Sequence, residues 1–352
     1  MTTLTKPDPK IMTRWNLWIC LVGLMIWGNP SVVTAVSGRV CLEPLPHRNQ
    51  FPTSAIFLEP EPLGPCTTPV GTISARSSLQ WSNTTFVEDR PEYQIIVDHE
   101  RWDNQTVLRL GLSAWSDLGI RMGAVRDGGG IADGLIDRFH YKTELPGYDR
   151  EERGRNKYEI AYGNSTNYLV NAYHSPSVIP TEPVISYRRQ GTSLPLPWLE
   201  DLLLGWRIGF KLPAKNGQYQ INSGRMDSFL GFMADTGLTT PIGKFGLSLH
   251  GSVVKLGQIS HFVYPQRREI FTGGGTLGLL VFSRLEILVQ WLASTQRYDQ
   301  MDIVYMDHSQ HIFSSGLRFR DGNHHWTLGF TEDIAAASED VSLLFAWRYT
   351  PE

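Results

Sequence analysis

Residues 202–212 read LLLGWRIGFKL, and this stretch decides the fold class. Successive side chains of a β-strand point to opposite faces of its sheet, so the stretch divides into two sets. One set is large and apolar: Leu202, Leu204, Trp206, Ile208, Phe210 and Leu212. Apart from Leu203, the other set consists of glycine and positively charged residues: Gly205, Arg207, Gly209 and Lys211. The stretch therefore predicts a two-faced strand.

The same alternation recurs in stretches 106–113, 118–125, 285–292 and 341–349. Apolar faces of this depth predict strands of about 9–11 residues, the length that a tilted strand needs to cross a bilayer. Strands of soluble proteins average about 5–6 residues. The glycine and charge of the second face suit a narrow polar lumen. We therefore predict an all-β fold, an antiparallel transmembrane β-barrel of about 12 strands, within a range of about 10–14.

The composition excludes several classes of protein. A formal net charge of −3 argues against a nucleic-acid partner, which usually requires a basic surface. Three cysteines in 352 residues exclude a disulfide-dense scaffold and a multi-cysteine zinc module. The histidines near 308 and 324 fall in predicted loops or turns, and we interpret them as polar loop residues. The sequence thus predicts no enzyme activity, no metal and no cofactor.

The start of the chain has the three parts of a secretory signal peptide. Residues 1–14 carry three basic side chains, residues 17–27 form an apolar run, and residues 33–35 offer a small-residue cleavage site. An uncleaved anchor is the alternative, but the run is shorter than the about 20 residues that cross a bilayer as a helix. We predict a signal peptide over residues 1–35, cleavage near Ala35, and export to a Gram-negative outer membrane.

A proline-rich segment follows the signal peptide. Residues 36–70 contain seven prolines, each of which removes a backbone donor and disfavours both helix and central strand. We predict an extended N-terminal arm or plug there, and the barrel over residues 71–352. The segment contains Cys41 and Cys66. These two cysteines can pair in an oxidising compartment or remain two separate thiols, and the sequence does not decide between them.

One stretch interrupts the strand pattern. Apolar residues at four-residue spacing predict a short helix at about 131–141, with Asp133 and Asp137 beside the apolar face. Gly128, Gly129 and Gly130 precede it and permit a sharp turn, because glycine reaches positive φ without steric penalty. We expect this segment to constrict or plug the barrel, with its two aspartates paired to lumen arginines such as Arg109 or Arg121.

Charged residues on the predicted lumen face are the remaining candidates for a site. They are Arg109, Arg121, Arg207 and Glu286. One interpretation is an internal salt-bridge network that fills the lumen, which we favour because interior charges must be compensated. The other interpretation is a selectivity lining that binds an anionic solute.

Several motifs carry a resemblance to a known family. They read PLPHRNQ at 44–50, IVDHE at 96–100, DGGGIADGLIDRFH at 127–140, LPG at 145–147 and FTED at 330–333. With these motifs in this order, the mature chain resembles the outer-membrane-type proteins of domain of unknown function 3187. The resemblance implies fold and location and no activity. Such barrels usually end on an aromatic residue that the insertion machinery reads, whereas here Tyr349 is followed by three more residues.

These observations predict an outer-membrane barrel of unassigned activity that acts as a pore for a small solute. Its expected partners are outer-membrane lipid and the outer-membrane insertion machinery. Two alternatives stay open: a structural or assembly barrel with a plugged lumen, and a membrane-embedded hydrolase.

Overall fold

The computed structural model describes residues 41–89, 94–130, 132–143, 156–164, 167–172, 178–197, 199–214, 221–259, 265–282, 284–299, 303, 306, 308–335 and 339–351. The predicted signal peptide and Ile131 lie outside this set. The described helices are α1 (Pro52–Ala55) and α2 (Asp133–Thr143). Neither helix of the described chain has the length and apolar character needed to cross a membrane.

The rest of the described secondary structure is β. The strands are β1 (Ile73–Asp89), β2 (Gln94–Ser113), β3 (Ser116–Gly128), β4 (Glu159–Asn164), β5 (Asn167–Ala172), β6 (Ile179–Pro180), β7 (Val184–Leu194), β8 (Leu202–Lys211), β9 (Asp227–Thr240), β10 (Gly243–Lys255), β11 (Glu269–Val281), β12 (Leu285–Ser294), β13 (Gln310–Asp321), β14 (His324–Ala335) and β15 (Val341–Tyr349).

Twelve of these strands, β1–β3 and β7–β15, form a closed antiparallel barrel. The ring closes because β15 pairs with β1, and β3 pairs with both β2 and β7. The hairpin β4–β5 extends the sheet from β2, and β6 adds to β3. Closure leaves no open edge in the ring. The predicted antiparallel barrel of about 12 strands is confirmed.

The two faces of the wall differ as the alternation predicts. Arg207 is 2% exposed and points into the lumen, whereas its neighbour Ile208 is 37% exposed and points outward. Large apolar side chains are exposed all around the ring, among them Leu108, Leu118, Met122, Phe232, Leu249, Leu277, Trp291, Leu317, Phe330 and Phe345. An apolar exterior around a polar interior is the arrangement of a transmembrane barrel.

The strands are longer than the apolar faces alone predict. Ring strands run from 9 residues in β15 to 20 in β2. The excess lies mainly in the hairpin of β1 and β2, which continues beyond the exposed apolar positions into outward-facing polar residues that are buried, such as Asn83 and Asp98. That extension is covered by other segments of the protein and does not face lipid.

The two ends of the barrel are built differently. At one end the strands join through tight turns at 114–115, 241–242 and 322–323, and Gly322 takes the positive φ of 55° that such a turn requires. The link 195–201 between β7 and β8 also lies at this end, and the longest connections, such as 212–226, 256–268 and 295–309, lie at the other end. We call the end with the tight turns the short-turn end and the opposite end the long-loop end. In outer-membrane barrels, short turns face the periplasm.

Candidate functional site

The lumen is occupied by the proline-rich segment, residues 41–69, which we call the plug. Prolines prevent this segment from joining the wall as a strand, yet its buried backbone groups still require partners. Wall side chains supply them: Leu58 N donates to Asp227 Oδ2 (2.8 Å), and Lys211 Nζ donates to Ile56 O (2.7 Å). The polar lumen face of the strands therefore serves as the hydrogen-bonding surface of the plug.

The plug runs up one side of the lumen and down the other. Residues 41–50 follow the inner faces of β11–β14, residues 51–58 form a tip that contains α1, and residues 59–69 return along β2, β3, β7 and β8. Near the short-turn end, Cys41 and Cys66 are joined by a disulfide. The plug is therefore a closed loop with its tip toward the long-loop end.

Glycines of the wall provide the space for this loop. A Cβ atom added to Gly278 would collide with Leu42, one on Gly316 would lie 2.9 Å from Leu45 Cδ2, and one on Gly205 would lie 2.9 Å from Pro65 Cβ. Close contact with the plug thus explains these three glycines of the lumen face, whereas Gly209 makes room for the ring of Phe229.

The returning arm carries Glu61 into a group of wall arginines. Glu61 Oε2 lies 2.5 Å from Arg76 Nη2, and Glu61 Oε1 accepts from Arg109 Nη2. Arg207 Nη1 donates to the backbone oxygen of Glu61 (2.5 Å). Charge-assisted bonds of this kind are stronger than neutral ones, particularly where water is excluded. We call Arg76, Arg109, Arg121, Arg188 and Arg207 the arginine cluster.

Other members of the arginine cluster also bind the returning arm. Arg121 Nη1 donates to Glu59 O (3.2 Å), and Arg188 Nη1 donates to Gly64 O (3.0 Å). Asp117 of the wall accepts from Arg109 and Arg188, and it also accepts from the backbone of Thr68. A second group near the short-turn end centres on Glu43, which pairs with Arg348 and lies 3.8 Å from Arg76.

Toward the long-loop end the plug also carries a basic side chain against a wall carboxylate. Arg48 Nη1 lies 3.5 Å from Asp103 Oδ2, and His47 Nε2 lies 3.0 Å from Glu339 Oε1. Basic wall side chains bind plug backbone oxygens at this end as well, since Lys211 donates to Ile56 O and Arg101 donates to Gln50 O.

The tip is held by apolar contacts. Phe51, Ile56, Phe57 and Leu58 are buried in one cluster with aromatic and aliphatic side chains of the wall and loops. The rings of Phe57 and Tyr298 lie 6.2 Å apart, and Tyr298 Oη donates to Thr53 O (2.7 Å). Burial of each large apolar side chain contributes about 1.5–3 kcal/mol, so the tip is the best-anchored part of the plug.

A small cavity lies between the plug and the wall. A cavity of about 20 Å³ lies beside Glu61, with Arg109, Arg121 and Arg207 in its lining. That volume holds about one water molecule. Arg207 Nε and Nη2 have no hydrogen-bond partner among the described residues, although the ring of Phe229 packs 5.3 Å from the guanidinium carbon.

The structure separates the residues that the sequence analysis grouped as lumen lining. Arg109, Arg121 and Arg207 come together around Glu61. Glu286 lies apart from them, where it binds Arg318 Nη1 (2.7 Å) and Arg320 Nη2 (2.8 Å). In both places the lumen charges form salt bridges, and in the first place the partner is Glu61 of the plug.

The segment from Gly128 to Asp137 takes a different place from the expected one. Asp133 Oδ1 accepts from Asn83 Nδ2 (3.2 Å), and Ala132 N donates to Glu100 Oε1 (2.7 Å). Both partners fall on the outward-facing positions of β1 and β2, so the start of α2 packs outside the wall. The expected pairing of Asp133 and Asp137 with Arg109 or Arg121 is replaced by the contacts of these arginines with the plug and Asp117. Among the described residues, the segment that contacts the lumen arginines is 41–69.

Two of the three glycines before α2, Gly129 and Gly130, serve close approach instead of a turn with positive φ, whereas a Cβ on Gly128 would meet open space. Gly128, Gly129 and Gly130 are absent from the described glycines with positive φ. A Cβ on Gly129 would collide with Asn156 O, and one on Gly130 would collide with the Asp133 carboxylate. The helix itself begins two residues later than predicted, at Asp133.

Sequence reasoning missed the plug carboxylates Glu43 and Glu61 and the wall residues Arg76, Asp117 and Arg188. Arg76 shares its lumen-facing parity with Ser74 and Ser78, so the alternation of β1 could have identified it. Glu43 and Glu61 lie in a segment without periodicity, and no signal in the sequence marks the direction of their side chains.

The closed ring, the apolar exterior and the filled polar lumen define a transmembrane β-barrel of the outer-membrane type with an internal plug. The chain belongs to the family described as "Protein of unknown function (DUF3187)", whose sequence model matches residues 29–350. A search of curated proteins finds no match.

Solved structures share the fold at low sequence identity. An outer-membrane channel from Pseudomonas putida F1 is 11% identical, with a TM-score of 0.51 over 83% of this chain and 99% of that one. The toluene transporter TbuX from Ralstonia pickettii is 8% identical, with a TM-score of 0.38 over 82% and 92% of the two chains. LpxR from Salmonella typhimurium is 9% identical, with a TM-score of 0.38 over 80% and 100%. The likeness to the channel concerns the fold alone.

Proposed function

We propose that this protein is a passage barrel for small solutes in a Gram-negative outer membrane, and that the plug holds it closed in the described state. The apolar exterior supports the membrane location, because exposed apolar surface of this extent is stable in contact with lipid and not with water. The signal-peptide pattern of residues 1–35 supports export.

One observation carries the proposal: the ring is complete without the plug. The strand pairs that close the barrel run from β1 through β15 and involve no plug backbone, and Val70, just beyond the plug, makes only an isolated bridge to Gly111. Removal of the plug would leave the hydrogen bonds of the wall intact. It would expose a lumen face of glycine and charged side chains, which water can solvate.

Planar-bilayer recording tests this proposal. We compare the wild-type mature chain with a variant that lacks residues 41–68, after a heat-dependent mobility shift has established that each barrel is folded. We expect long closed periods for the wild type and steady conductance for the variant. A folded variant that conducts no more than the wild type would contradict the proposal.

A second candidate function is a structural barrel with a permanently fixed plug. The apolar anchoring of the tip and the disulfide at the base favour it, because both resist withdrawal of the loop. Hydrogen exchange separates the two candidates. A fixed plug exchanges its backbone amides only when the barrel unfolds, whereas a gating plug exchanges them faster than the amides of β8 and β9.

A further inference from the structure

We infer that the arginine cluster is a binding site for a carboxylate-bearing solute, and that Glu61 occupies this site while the barrel is closed. The inference rests on the proposed function and names the chemical class of its solute. It also gives that solute a means of loosening the plug.

The first argument is the geometry around Glu61. Each carboxylate oxygen binds a different wall arginine, Oε2 with Arg76 and Oε1 with Arg109. The two arginines lie on adjacent strands of the wall, while the carboxylate arrives on a separate segment. Arginine binds carboxylates with directional, charge-assisted bonds, so a free carboxylate can make the same contacts.

The second argument is the balance of charge. The arginine cluster places five guanidinium groups on the lumen face, and the wall carboxylate hydrogen-bonded to this cluster is Asp117. Glu61 and Glu43 of the plug neutralise a further part of the positive charge of the cluster. Without the plug, the wall would hold an excess of positive charge at one level of the lumen. Such a surface attracts and concentrates anions.

The third argument is the set of donors that Glu61 leaves unused. Arg207 is 2% exposed, and its Nε and Nη2 lack hydrogen-bond partners among the described residues. Arg207, Arg121 and Ser186 line the cavity of about 20 Å³ next to Glu61. A buried donor without a partner is unfavourable in a purely structural ion-pair network. The spare donors fit a solute with a second acceptor close to its carboxylate, such as a hydroxycarboxylate.

A solute carboxylate and the Glu61 carboxylate would compete for the same wall arginines. A solute carboxylate that takes the place of Glu61 removes the strongest contacts of the returning arm with β1 and β2. The arm would then be held by its backbone contacts, at Glu59, Glu61, Gly64 and Thr68. Binding and opening are thereby coupled, because the solute binds well only to the state in which Glu61 has left.

Chemical rescue tests the site in the full mature chain in detergent. Glu61→Ala vacates the site, and Glu61→Gln fills it with an amide. We measure the midpoint of thermal unfolding in sodium acetate and in sodium chloride at equal ionic strength. Acetate should raise the midpoint of Glu61→Ala by about 2 °C or more over chloride, and it should raise that of Glu61→Gln less. The double variant Glu61→Ala/Arg109→Gln should lose the acetate effect. No rescue of Glu61→Ala, or equal rescue in the double variant, would overturn the inference.

A second measurement uses the wild-type chain and does not depend on the folding of any variant. Acetate, compared with chloride at equal ionic strength, should accelerate hydrogen exchange at residues 59–69 and leave exchange in β12 and β13 unchanged. Equal rates in the two salts would also overturn the inference. Neither measurement relies on conductance, so a barrel that shows both acetate effects and never conducts would refute the proposed function while retaining the site.

Discussion

Gln290 binds Leu45 through both of the backbone polar groups of Leu45: Leu45 N donates to Gln290 Oε1 (2.9 Å), and Gln290 Nε2 donates to Leu45 O (3.1 Å). A neighbouring strand would normally satisfy these two groups. Here a single side chain of β12 does so, because the prolines on either side of Leu45 keep the plug out of the sheet.

Replacement of Gln290 should therefore loosen the plug. In Gln290→Ala, Leu45 N loses its partner, at about 1–3 kcal/mol for a buried unsatisfied group, while Leu45 O keeps its bond from His47 N (2.8 Å). We expect faster hydrogen exchange at residues 42–50, measured by mass spectrometry on the folded barrel. Val289→Ala changes the outward face of the same strand and should leave plug exchange unaltered. Equal exchange in the two variants would contradict the role of Gln290.

A charge on the outward face should impair the barrel. Ile208→Arg places a guanidinium against lipid, at about 2–4 kcal/mol if the residue lies near the bilayer midplane. We expect a lower unfolding midpoint in urea for the variant reconstituted in lipid, with Ile208→Leu close to wild type. Tolerance of Ile208→Arg at wild-type level would mean that this face does not contact lipid.

Reduction of the disulfide should weaken the protein. Cys41 and Cys66 are 25 residues apart, and a closed loop of this length restricts the unfolded chain by an entropy equivalent to about 3–4 kcal/mol. We expect reductant to lower the free energy of unfolding by up to about this amount and to accelerate exchange in the plug. The variant Cys41→Ser/Cys66→Ser should resemble the reduced protein and should not respond to reductant. A reductant effect of the same size in that variant would point to another cause.

Acid should release the short-turn end of the plug only at low pH. Glu43 lies on the plug and not on a membrane-spanning strand. Burial by itself raises the pKa of its carboxyl, but Arg348, Arg318 and Arg76 outweigh that effect and lower the pKa from 4.5 to about 2. Because the folded-state pKa is the lower one, the stabilisation is fully present above about pH 4.5 and is lost as the pH falls toward about 2.

The measurement is plug exchange or the unfolding midpoint as a function of pH. The wild type should keep the Glu43 contribution unchanged from neutral pH to about pH 5. Glu43→Gln should be less stable than the wild type at neutral pH, and the difference between the two should shrink between pH 4.5 and about 2. A difference that already disappears near neutral pH would contradict the lowered pKa.

The wall of the barrel was predictable from the sequence, and the contents of its lumen were not. The period of two in residues 202–212 places Arg207 inside and Ile208 outside without any knowledge of neighbouring strands. The partners of Arg207 and Arg109 depend on Glu61, which lies in an extended segment where no periodicity assigns a side to any residue. Asp133 was misplaced for a related reason, since its partners Asn83 and Asn156 are far away in sequence and only the folded structure brings them near.

The position of Glu43 has a consequence for how the barrel is assembled. Arg76 of β1 and Arg348 of β15 are direct cross-strand partners at the seam where the first and last strands of the ring meet. Like charges in opposite positions repel, so this seam resists its own closure. Glu43 contacts both arginines and precedes both strands in the chain. The N-terminal loop thus offsets this repulsion and stabilises the seam at which the ring closes.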